Sequence, residues 1–278
     1  PGQTVGLVGE SGCGKTTTLM SIMRLLPSTG RITGGRILFK GTDLLSISEP
    51  QMRAYRWKEM AIIFQGAMNA LNPVMKVGDQ IREPMILHDM MDKDQAERRV
   101  GELLELVGIP RSRRDQYPHQ YSGGMRQRAM IAMALACNPK VVIADEPTTA
   151  LDVMIQAQVL ELLDSLRKRL GLSIIFVTHD LGVVAEMCDS VLVMYGGVTA
   201  EYSDVDTIYN LAQHPYTQEL LKAFPDLSQP DKRLASIPGY PPRLDDLPAG
   251  CRFAPRCPAA FERCRVEQPA IHQLSERH

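Results

Sequence analysis

Short apolar runs alternate with helical patterns along much of this chain of 278 residues. Runs typical of buried strands occupy residues 4–8, 35–39, 60–64, 140–144, 173–177 and 191–195. The glycine pair Gly196-Gly197 after the last run predicts a hairpin, and the segment from Val153 to Leu170 predicts a helix that ends at Gly171. Strands separated by helices indicate a parallel sheet with helices on both faces. The pattern therefore predicts an α/β fold.

The region between residues 67 and 138 has a different pattern, in which predicted helices follow one another without strands. Asp92 is a suitable N-cap for a helix that ends before Gly108 and Pro110. The apolar face of that helix carries Val100, Leu103, Leu104 and Val107. A second helix is predicted from Ser122 to Ala136. We expect residues 67–138 to form a helical subdomain inserted into the α/β core.

Beyond about Pro225 the chain becomes rich in proline and loses its periodicity, which predicts an appended tail and not a second folded core. We expect one domain over residues 1–212 and a C-terminal extension over residues 213–278. Hydrophobic residues make up 44% and charged residues 23%, as in ordinary globular proteins. The net charge of −1 offers no electrostatic argument for binding nucleic acid or anionic lipid. No apolar run approaches the roughly 18 residues that would cross a bilayer.

The segment from Gly9 to Thr16 fits the phosphate-binding pattern G-x-x-x-x-G-K-[ST], with a predicted strand before it and a predicted helix after it. Its glycines let backbone N–H groups surround phosphate oxygens at a helix N-terminus. Lys15 would contact the β- and γ-phosphates, and the Thr16 hydroxyl would bind Mg²⁺. The predicted phosphate-binding residues are Gly9, Glu10, Ser11, Gly12, Cys13, Gly14, Lys15, Thr16 and Thr17. The alternative is a glycine-rich turn that binds nothing.

Polar side chains follow three of the predicted strands. Asp145 and Glu146 end one strand, Gln65 a second and His179 a third. Asp145 would hold Mg²⁺, and Glu146 would polarise a water that attacks the γ-phosphate. Gln65 could contact both the metal and that water, and His179 the γ-phosphate. The carboxyl ends of parallel strands are where open α/β sheets bind ligands, which favours this interpretation over a solvated acidic turn and two structural side chains.

A second anion-binding helix start is predicted at Ser122-Gly123-Gly124. The serine is a good N-cap, and two glycines in the first turn leave backbone N–H groups open to an anion. A helix start without function would tolerate these residues, although glycine lowers helix propensity. Two such helix starts in one chain predict either two phosphate contacts or one nucleotide held from both sides.

Together these residues resemble the motifs of an ATP-binding-cassette (ABC) ATPase. The correspondence covers Walker A at Gly9–Thr16, the Q-loop at Gln65, the signature at Ser122–Met125, Walker B at Val141–Glu146, the D-loop at Ala150–Asp152 and the switch histidine at His179. Tyr121 and Met125 depart from the leucine and glutamine that are usual in the signature. The resemblance implies a P-loop NTPase with a RecA-like parallel-sheet core. It also places the family's first strand, with its adenine-stacking aromatic residue, before Pro1.

The same resemblance implies a role for each matching residue. ATP and Mg²⁺ are the expected cofactors, and the expected ligands of Mg²⁺ are Thr16, Gln65 and Asp145. The expected catalytic residues are Lys15, Gln65, Glu146 and His179. Asp152 is expected to belong to the nucleotide site. Because two cassettes pack head to tail in this family, Ser122, Gly123 and Gly124 are expected to face the γ-phosphate bound by a second cassette.

Four segments resemble the oligopeptide, dipeptide and nickel importer subfamily, at residues 64–73, 144–152, 214–217 and 237–242. This resemblance implies an ATP-hydrolysing subunit that drives uptake of peptides, or of related solutes such as nickel. Its expected partners are a second cassette, identical or homologous, two transmembrane permease subunits and, indirectly, an extracytoplasmic solute-binding protein. No nucleic acid is expected. The protein would lie peripherally on the cytoplasmic face of the inner membrane, with residues 69–91 as the surface that docks on a permease.

Three cysteines, Cys251, Cys257 and Cys264, lie within one short proline-rich segment. Cysteines in a segment without a core are more often metal ligands than packing residues. Some members of the resembled subfamily carry a four-iron four-sulfur cluster at the matching cysteines, with a fourth cysteine about where His278 stands in this chain. Zinc is the alternative, with His272 or His278 as the fourth ligand.

Other classes of function remain open at this point. A soluble ABC ATPase that acts on ribosomes or nucleic acid would usually carry two cassettes or a long coiled-coil insertion, and the sequence has neither pattern. A small-molecule or nucleoside kinase would have no use for the signature at Ser122. A regulatory module that works through its cysteine tail would not need Lys15, Asp145 and Glu146 intact.

Overall fold

The computed structural model describes residues 1–66, 70–223 and 236–278. The chain divides into two compact units. The first unit contains residues 1–3 and 19–175, and the second contains residues 4–18 and 176–278. The boundaries between them fall inside the helix Lys15–Ile22 and the strand Ser173–Val177.

The described residues form strands and helices in the predicted alternation, except that the buried strand predicted at residues 35–39 is only two residues long, is not buried and pairs antiparallel. The strands are β1 (Thr4–Val8), β2 (Leu38–Phe39), β3 (Thr42–Asp43), β4 (Met60–Ile63), β5 (Val141–Asp145), β6 (Ser173–Val177), β7 (Ser190–Tyr195) and β8 (Val198–Asp204). The α-helices are α1 (Lys15–Ile22), α2 (Glu49–Tyr55), α3 (Val77–Leu87), α4 (Lys93–Leu106), α5 (Gly123–Ala134), α6 (Val153–Leu170), α7 (Leu181–Met187), α8 (Val205–Leu211), α9 (Pro215–Lys222) and α10 (Glu262–Val266). Within these described ranges no helix is both long enough and apolar enough to span a bilayer.

The sheet of the first unit is parallel where β4 and β5 pair. Met60 lies opposite Val141, and Ile63 lies opposite Ala144. The apolar side chains of both strands are largely buried, as expected where helices cover both faces of a sheet. A continuous apolar run is therefore the correct signal for such strands, and the predicted α/β class is confirmed. The pairing also places Asp145 at the carboxyl end of β5.

The helical region of the first unit is built from α3, α4 and α5, which contact one another. Asp92 caps α4 as predicted, because its side chain accepts the Gln95 N–H over 2.8 Å while the Gln95 side chain accepts the Asp92 N–H over 3.2 Å. The predicted face of α4 is buried at Val100, Leu103 and Leu104. The helix α3, which contains Pro84, lies within the predicted helical subdomain. Residues 67–69 of the predicted subdomain lie outside the described residues.

The second unit is organised around β1, β7 and β8. β1 and β7 are parallel, and β7 and β8 form an antiparallel hairpin whose turn is the predicted glycine pair Gly196-Gly197. Its core is an apolar cluster to which strands, helices and the C-terminal segment all contribute. The buried members are Val8, Leu181, Val184, Val191, Val193, Tyr195, Ile208, Tyr216 and Phe253.

The C-terminal segment is part of this core and is not a loose tail. The Phe253 ring lies 5.0 Å from the Tyr195 ring and 5.3 Å from the Tyr216 ring, centroid to centroid. Edge-to-face aromatic pairs of this kind stabilise a core beyond the area that they bury. Loss of periodicity after Pro225 predicted an appended tail without a second core. It did not predict that Phe253 completes the core of the second unit.

We expect protonation of His214 to destabilise the protein. His214 caps α9, where its Nδ1 accepts the Tyr216 N–H over 3.1 Å. Burial lowers the pKa of His214 below the ordinary 6.5, against the opposing charge of Glu201. A group with a lower pKa when folded binds fewer protons in the folded state, so stability falls as the pH drops below the unfolded pKa.

His214→Asn tests this expectation, because asparagine also caps helices but does not titrate. Urea unfolding midpoints should fall for the parent protein between about pH 7.5 and about pH 5.5, and fall less for the variant. Other titrating groups, His88 among them, are common to both proteins and cancel in the comparison. Equal pH dependence in the two proteins would show that His214 is protonated without penalty.

Candidate nucleotide-binding site

The loop between β1 and α1 holds Lys15 in its interior. The residue is 7% exposed, and its Nζ donates to the carbonyl oxygens of Gly9 over 2.7 Å and Glu10 over 3.1 Å. The Sγ of Cys13 lies 3.7 Å from the same nitrogen. A buried ammonium group needs such acceptors, because an unpaired buried charge is strongly unfavourable. The loop therefore fixes a positive charge at the start of α1.

Gly9 is required at the first position of the loop for steric reasons. Its φ is +148°, and a Cβ built on it would lie 2.2 Å from the carbonyl oxygen of Met194 and 2.8 Å from the Cys13 Sγ. Any side chain at residue 9 would push the loop away from β7. This close contact explains why the sequence pattern has a glycine at this position.

The outer surface of the same loop is open to a ligand. Ser11, Gly12, Thr16 and Thr17 are exposed. The N–H groups of the first turn of α1 lack helical partners, and the helix dipole gives this end a positive character. Together with Lys15, this surface has the donors and the charge that a phosphate group requires.

Glu146 lies immediately after β5 in a backbone conformation that few residues adopt. Its φ is +44°, in the left-handed region. One oxygen of its carboxylate, Oε2, accepts hydrogen bonds from Gln65 Nε2 and from Thr149 Oγ1, each over 2.8 Å. The structure thus brings together two predicted site residues, Gln65 and Glu146. Backbone strain at a strand end is typical of functional sites.

Thr149 was missed by the sequence analysis, although it lies only three residues after Glu146. A hydroxyl at this spacing is common in turns and carries no distinctive signal by itself. Asp145, the residue before Glu146, is 3% exposed, as a residue that ends a buried strand should be. The two neighbouring carboxylates therefore have different surroundings, which suits different roles.

The predicted signature forms the start of α5. The Ser122 Oγ accepts the Met125 N–H over 3.2 Å, which confirms the N-cap, and Ser122 itself is exposed. A Cβ at Gly124 would lie 2.7 Å from the Cγ2 of Ile155 on α6, so this glycine permits close packing of the two helices. Gly123 lies near Leu151 of the predicted D-loop. The signature and the D-loop are therefore neighbours within the first unit.

Asp152 and His179 have different surroundings. The Oδ1 of Asp152 accepts the Ile155 N–H over 2.9 Å, so this carboxylate caps α6. His179 is exposed between β6 and α7, where Asp180 caps the helix. Lys15 and His179 belong to the second unit, whereas Gln65, Asp145 and Glu146 belong to the first.

The cysteine cluster is the part of the predicted chemistry that the structure does not support. The Cys251 N–H donates to the Cys264 carbonyl over 2.8 Å, and the pKa of Cys257 is raised by burial and further by the neighbouring Cys251 and Cys264. The three residues are thus close to one another. In the described part of the chain, however, no group of three or more His, Cys, Asp or Glu side chains is arranged to hold a metal ion. Neither an iron–sulfur cluster nor zinc gains support.

His278, which with His272 was one of two alternatives for the fourth ligand of zinc, is engaged elsewhere. Its Nε2 lies 2.7 Å from the Oε1 of Glu201 on β8. Burial opposes ionisation of Glu201, but hydrogen bonds from its neighbours, the backbone of Gln213 foremost among them, hold its pKa below the ordinary value. The His278 ring therefore pairs with a carboxylate and not with the cysteines. The prediction that it completes a metal site is wrong for this structure.

Comparison with known proteins identifies the class of protein that carries this site. The family model described as "ABC transporter" matches residues 1–149, and the model described as "Oligopeptide/dipeptide transporter, C-terminal region" matches residues 200–264. The chain is 50% identical over 281 residues to the oligopeptide transport ATP-binding protein OppD of Bacillus subtilis, which covers 100% of this chain and 78% of that protein. It is 48% identical over 277 residues to the dipeptide transport ATP-binding protein DppD of Escherichia coli, and this alignment covers 99% of this chain and 85% of that protein.

Solved structures agree with these relationships. The dimeric structure of the ABC transporter cassette MJ0796 in a post-hydrolysis state, bound to ADP and Pi, matches with a TM-score of 0.65 and 27% identity, over 73% of this chain and 86% of that one. The cbiO1 protein of Clostridium perfringens matches with a TM-score of 0.65 and 29% identity, over 76% and 80%.

The chain belongs to the ABC transporter family and is an ATP-hydrolysing cassette. Within that family it groups with the ATP-binding subunits of the oligopeptide and dipeptide transporters. The resemblance seen in the sequence motifs is thereby confirmed, and so is the P-loop NTPase class.

Proposed function

We propose that this chain is the ATP-hydrolysing subunit of an importer that takes up dipeptides, oligopeptides or related small solutes such as nickel. The observation that carries the proposal is the match of residues 200–264 to the C-terminal region of oligopeptide and dipeptide transporters. The names of the relatives OppD and DppD point in the same direction. A cassette of another branch would share the phosphate loop but not this C-terminal region.

In this proposal each predicted site residue has a defined role. The exposed face of the phosphate loop, from Gly9 to Thr17, holds the phosphates of ATP, and the Lys15 ammonium exchanges its two carbonyl acceptors for phosphate oxygens. The proposed ligands of Mg²⁺ are Thr16, Gln65 and Asp145, whose oxygen donors suit this ion. The bound ion would neutralise part of the phosphate charge.

The remaining roles belong to the chemistry of hydrolysis. Glu146 accepts a proton from the attacking water, and Gln65 keeps the Glu146 carboxylate oriented through their hydrogen bond. His179 contacts the γ-phosphate, and Asp152 belongs to the D-loop beside the signature. The two hydrogen bonds to Glu146 Oε2 orient the carboxylate, which supports the proposed role as general base.

The proposed partners follow from the exposed parts of the first unit. A second cassette, identical or homologous, would present its signature to the nucleotide bound here, which suits the exposed Ser122 at the start of α5. MJ0796, a related cassette, has been solved as a dimer. The proposed permease-docking surface around α3 carries exposed apolar side chains, with Val74 79% and Leu87 72% exposed. Asn69, where the predicted surface begins, lies outside the described residues.

Solute uptake in the organism that makes this protein tests the proposal. Deletion of the gene should abolish ATP-dependent uptake of a labelled dipeptide, a labelled oligopeptide or Ni²⁺, and the parent gene should restore it. The protein should co-purify with two permease subunits on the cytoplasmic face of the membrane. Normal uptake of all three solutes together with co-sedimentation on ribosomes would instead favour the soluble ABC ATPase that acts on ribosomes or nucleic acid.

A further inference from the structure

The C-terminal segment contacts the phosphate loop directly through one ion pair in the second unit. Nη1 and Nη2 of Arg256 donate to the two carboxylate oxygens of Glu10, over 2.7 Å and 2.9 Å. The Arg256 side chain is 5% exposed and the Glu10 side chain 25% exposed. A bidentate pair of this kind fixes the orientation of the carboxylate as well as its distance from the guanidinium group. Residue 256 thus holds the second residue of the phosphate loop.

Arg256 is itself held firmly by other groups of the second unit. Its Nε donates to the carbonyl of Pro238 over 2.7 Å, Nη2 to the carbonyl of Ile237 over 3.3 Å, and Nη1 to the Tyr195 hydroxyl over 3.2 Å. The hydrogen bond to Glu10 is the main cause that raises the pKa of Arg256 above its ordinary value. The guanidinium group therefore acts as a fixed anchor and not as a mobile surface charge.

Glu10 connects this anchor to the phosphate-binding lysine. Its N–H donates to the Tyr216 hydroxyl over 2.9 Å, and its carbonyl accepts from Lys15 Nζ over 3.1 Å. Tyr216 is fully buried, and burial raises the pKa of its hydroxyl, which therefore stays neutral. Glu10 is consequently held through its side chain by Arg256 and through its N–H by Tyr216, while its carbonyl accepts from Lys15.

We propose that Arg256 is a positioning residue for ATP, which holds Glu10 so that the backbone of the phosphate loop keeps the conformation that binds phosphate. The proposal rests on the proposed function only in that the loop binds ATP. Without the anchor the loop would populate other conformations, and the apparent affinity for ATP would fall by the fraction of competent loops. The chemical step after binding would be little affected, because Arg256 is assigned no contact with the reacting atoms.

The test is steady-state ATP hydrolysis by the full chain, with KM and kcat measured separately. Arg256→Met should raise KM for ATP about tenfold, as expected for the loss of one charge-assisted hydrogen-bonded pair, and change kcat by less than about threefold. Arg256→Lys, which keeps the charge but cannot form a bidentate pair, should give an intermediate KM. The matched control is Arg263→Met. It removes a pair with Glu267 in the same segment that is also bidentate but is exposed to solvent. Its KM should equal that of the parent.

A double-mutant cycle shows whether Arg256 acts through Glu10. Glu10→Gln alone, and Glu10→Gln combined with Arg256→Met, should each have a KM within about twofold of that of Arg256→Met. Any of three results would overturn the proposal. The first is that the effects of the two substitutions on KM multiply in the double variant. The second is that the KM of Arg256→Met equals that of the control, and the third is that kcat falls while KM is unchanged. If Arg256→Met does not fold, the KM of Arg256→Lys decides, and a value equal to the parent's overturns it. Absence of ATP hydrolysis by the parent would contradict the proposed function itself.

Discussion

Replacing Glu146 by glutamine is expected to stop ATP turnover while ATP binding is retained. The amide has the size of the carboxylate and can still accept the hydrogen bonds from Gln65 and Thr149, so the turn after β5 should keep its conformation. It cannot accept a proton from the attacking water. A general base contributes about 10²–10⁴ to the rate, and kcat should fall by that factor. Phosphate release and the binding of a fluorescent ATP analogue would be measured on the same preparation.

Glu59→Gln is the matched control for this experiment, since it makes the same chemical change at a surface residue that pairs with Lys40. Its turnover should equal that of the parent. The Glu146 variant should also accumulate as an ATP-bound dimer, because the nucleotide joining two cassettes would no longer be consumed. Hydrolysis by the Glu146 variant at the parent rate would mean that another group is the base.

Replacing Lys15 by alanine is expected to weaken ATP binding severely, a defect that precedes the chemical step affected by the loss of Glu146. The ammonium group is buried and already donates to two carbonyl oxygens of the loop. Exchange of these acceptors for phosphate oxygens would form charge-assisted hydrogen bonds, each contributing about 1.5–3 kcal/mol. Loss of two such bonds corresponds to an affinity about 10²–10⁴-fold weaker. Equilibrium binding of ATP with Mg²⁺ would measure this change.

Lys168→Ala is the control for the lysine variant. Lys168 pairs with Asp164 on the surface of α6, with its side chain 66% exposed, and its loss should leave ATP binding unchanged. Circular dichroism and the urea midpoint of Lys15→Ala should be compared with those of the parent, because Lys15 also ties the loop together. A folded Lys15 variant that binds ATP with parent affinity would remove the phosphate loop from the proposed mechanism.

The elements with the strongest local signals could be predicted from the sequence alone. The bounds of β1, α6 and β6 match the expected ones, because continuous apolar runs mark strands buried on both faces and Gly171, with a φ of +63°, ends α6 in a left-handed cap. The phosphate loop was found for the same reason. Its glycines and its lysine lie within one short segment and at a fixed spacing, so the pattern can be read locally even though Gly9 packs against the distant Met194.

The parts that could not be predicted depend on partners far away in the sequence. Arg256 and Glu10 lie 246 positions apart, and no periodicity links an arginine in a proline-rich segment to a carboxylate in a glycine-rich loop. Phe253 was overlooked for a related reason, since a single buried ring in an irregular segment leaves no repeating pattern. For the cysteines the sequence predicted a metal site that the described residues do not form. Their spacing suggested ligands, but it did not determine where a fourth ligand would lie.

The composition of the second unit has a consequence for how the chain folds as it is made. Residues 4–18 belong with residues 176–278, so during synthesis the earlier segment must wait for the later one. At typical translation rates of about 5–20 residues per second, the 246 positions between Glu10 and Arg256 take about 12 to 50 seconds to synthesise. Until residues 190–195 have been synthesised, β1 has no neighbouring β7, and its unpaired apolar edge is exposed to aggregation. Nascent chains released before residue 256 should accordingly depend on chaperones.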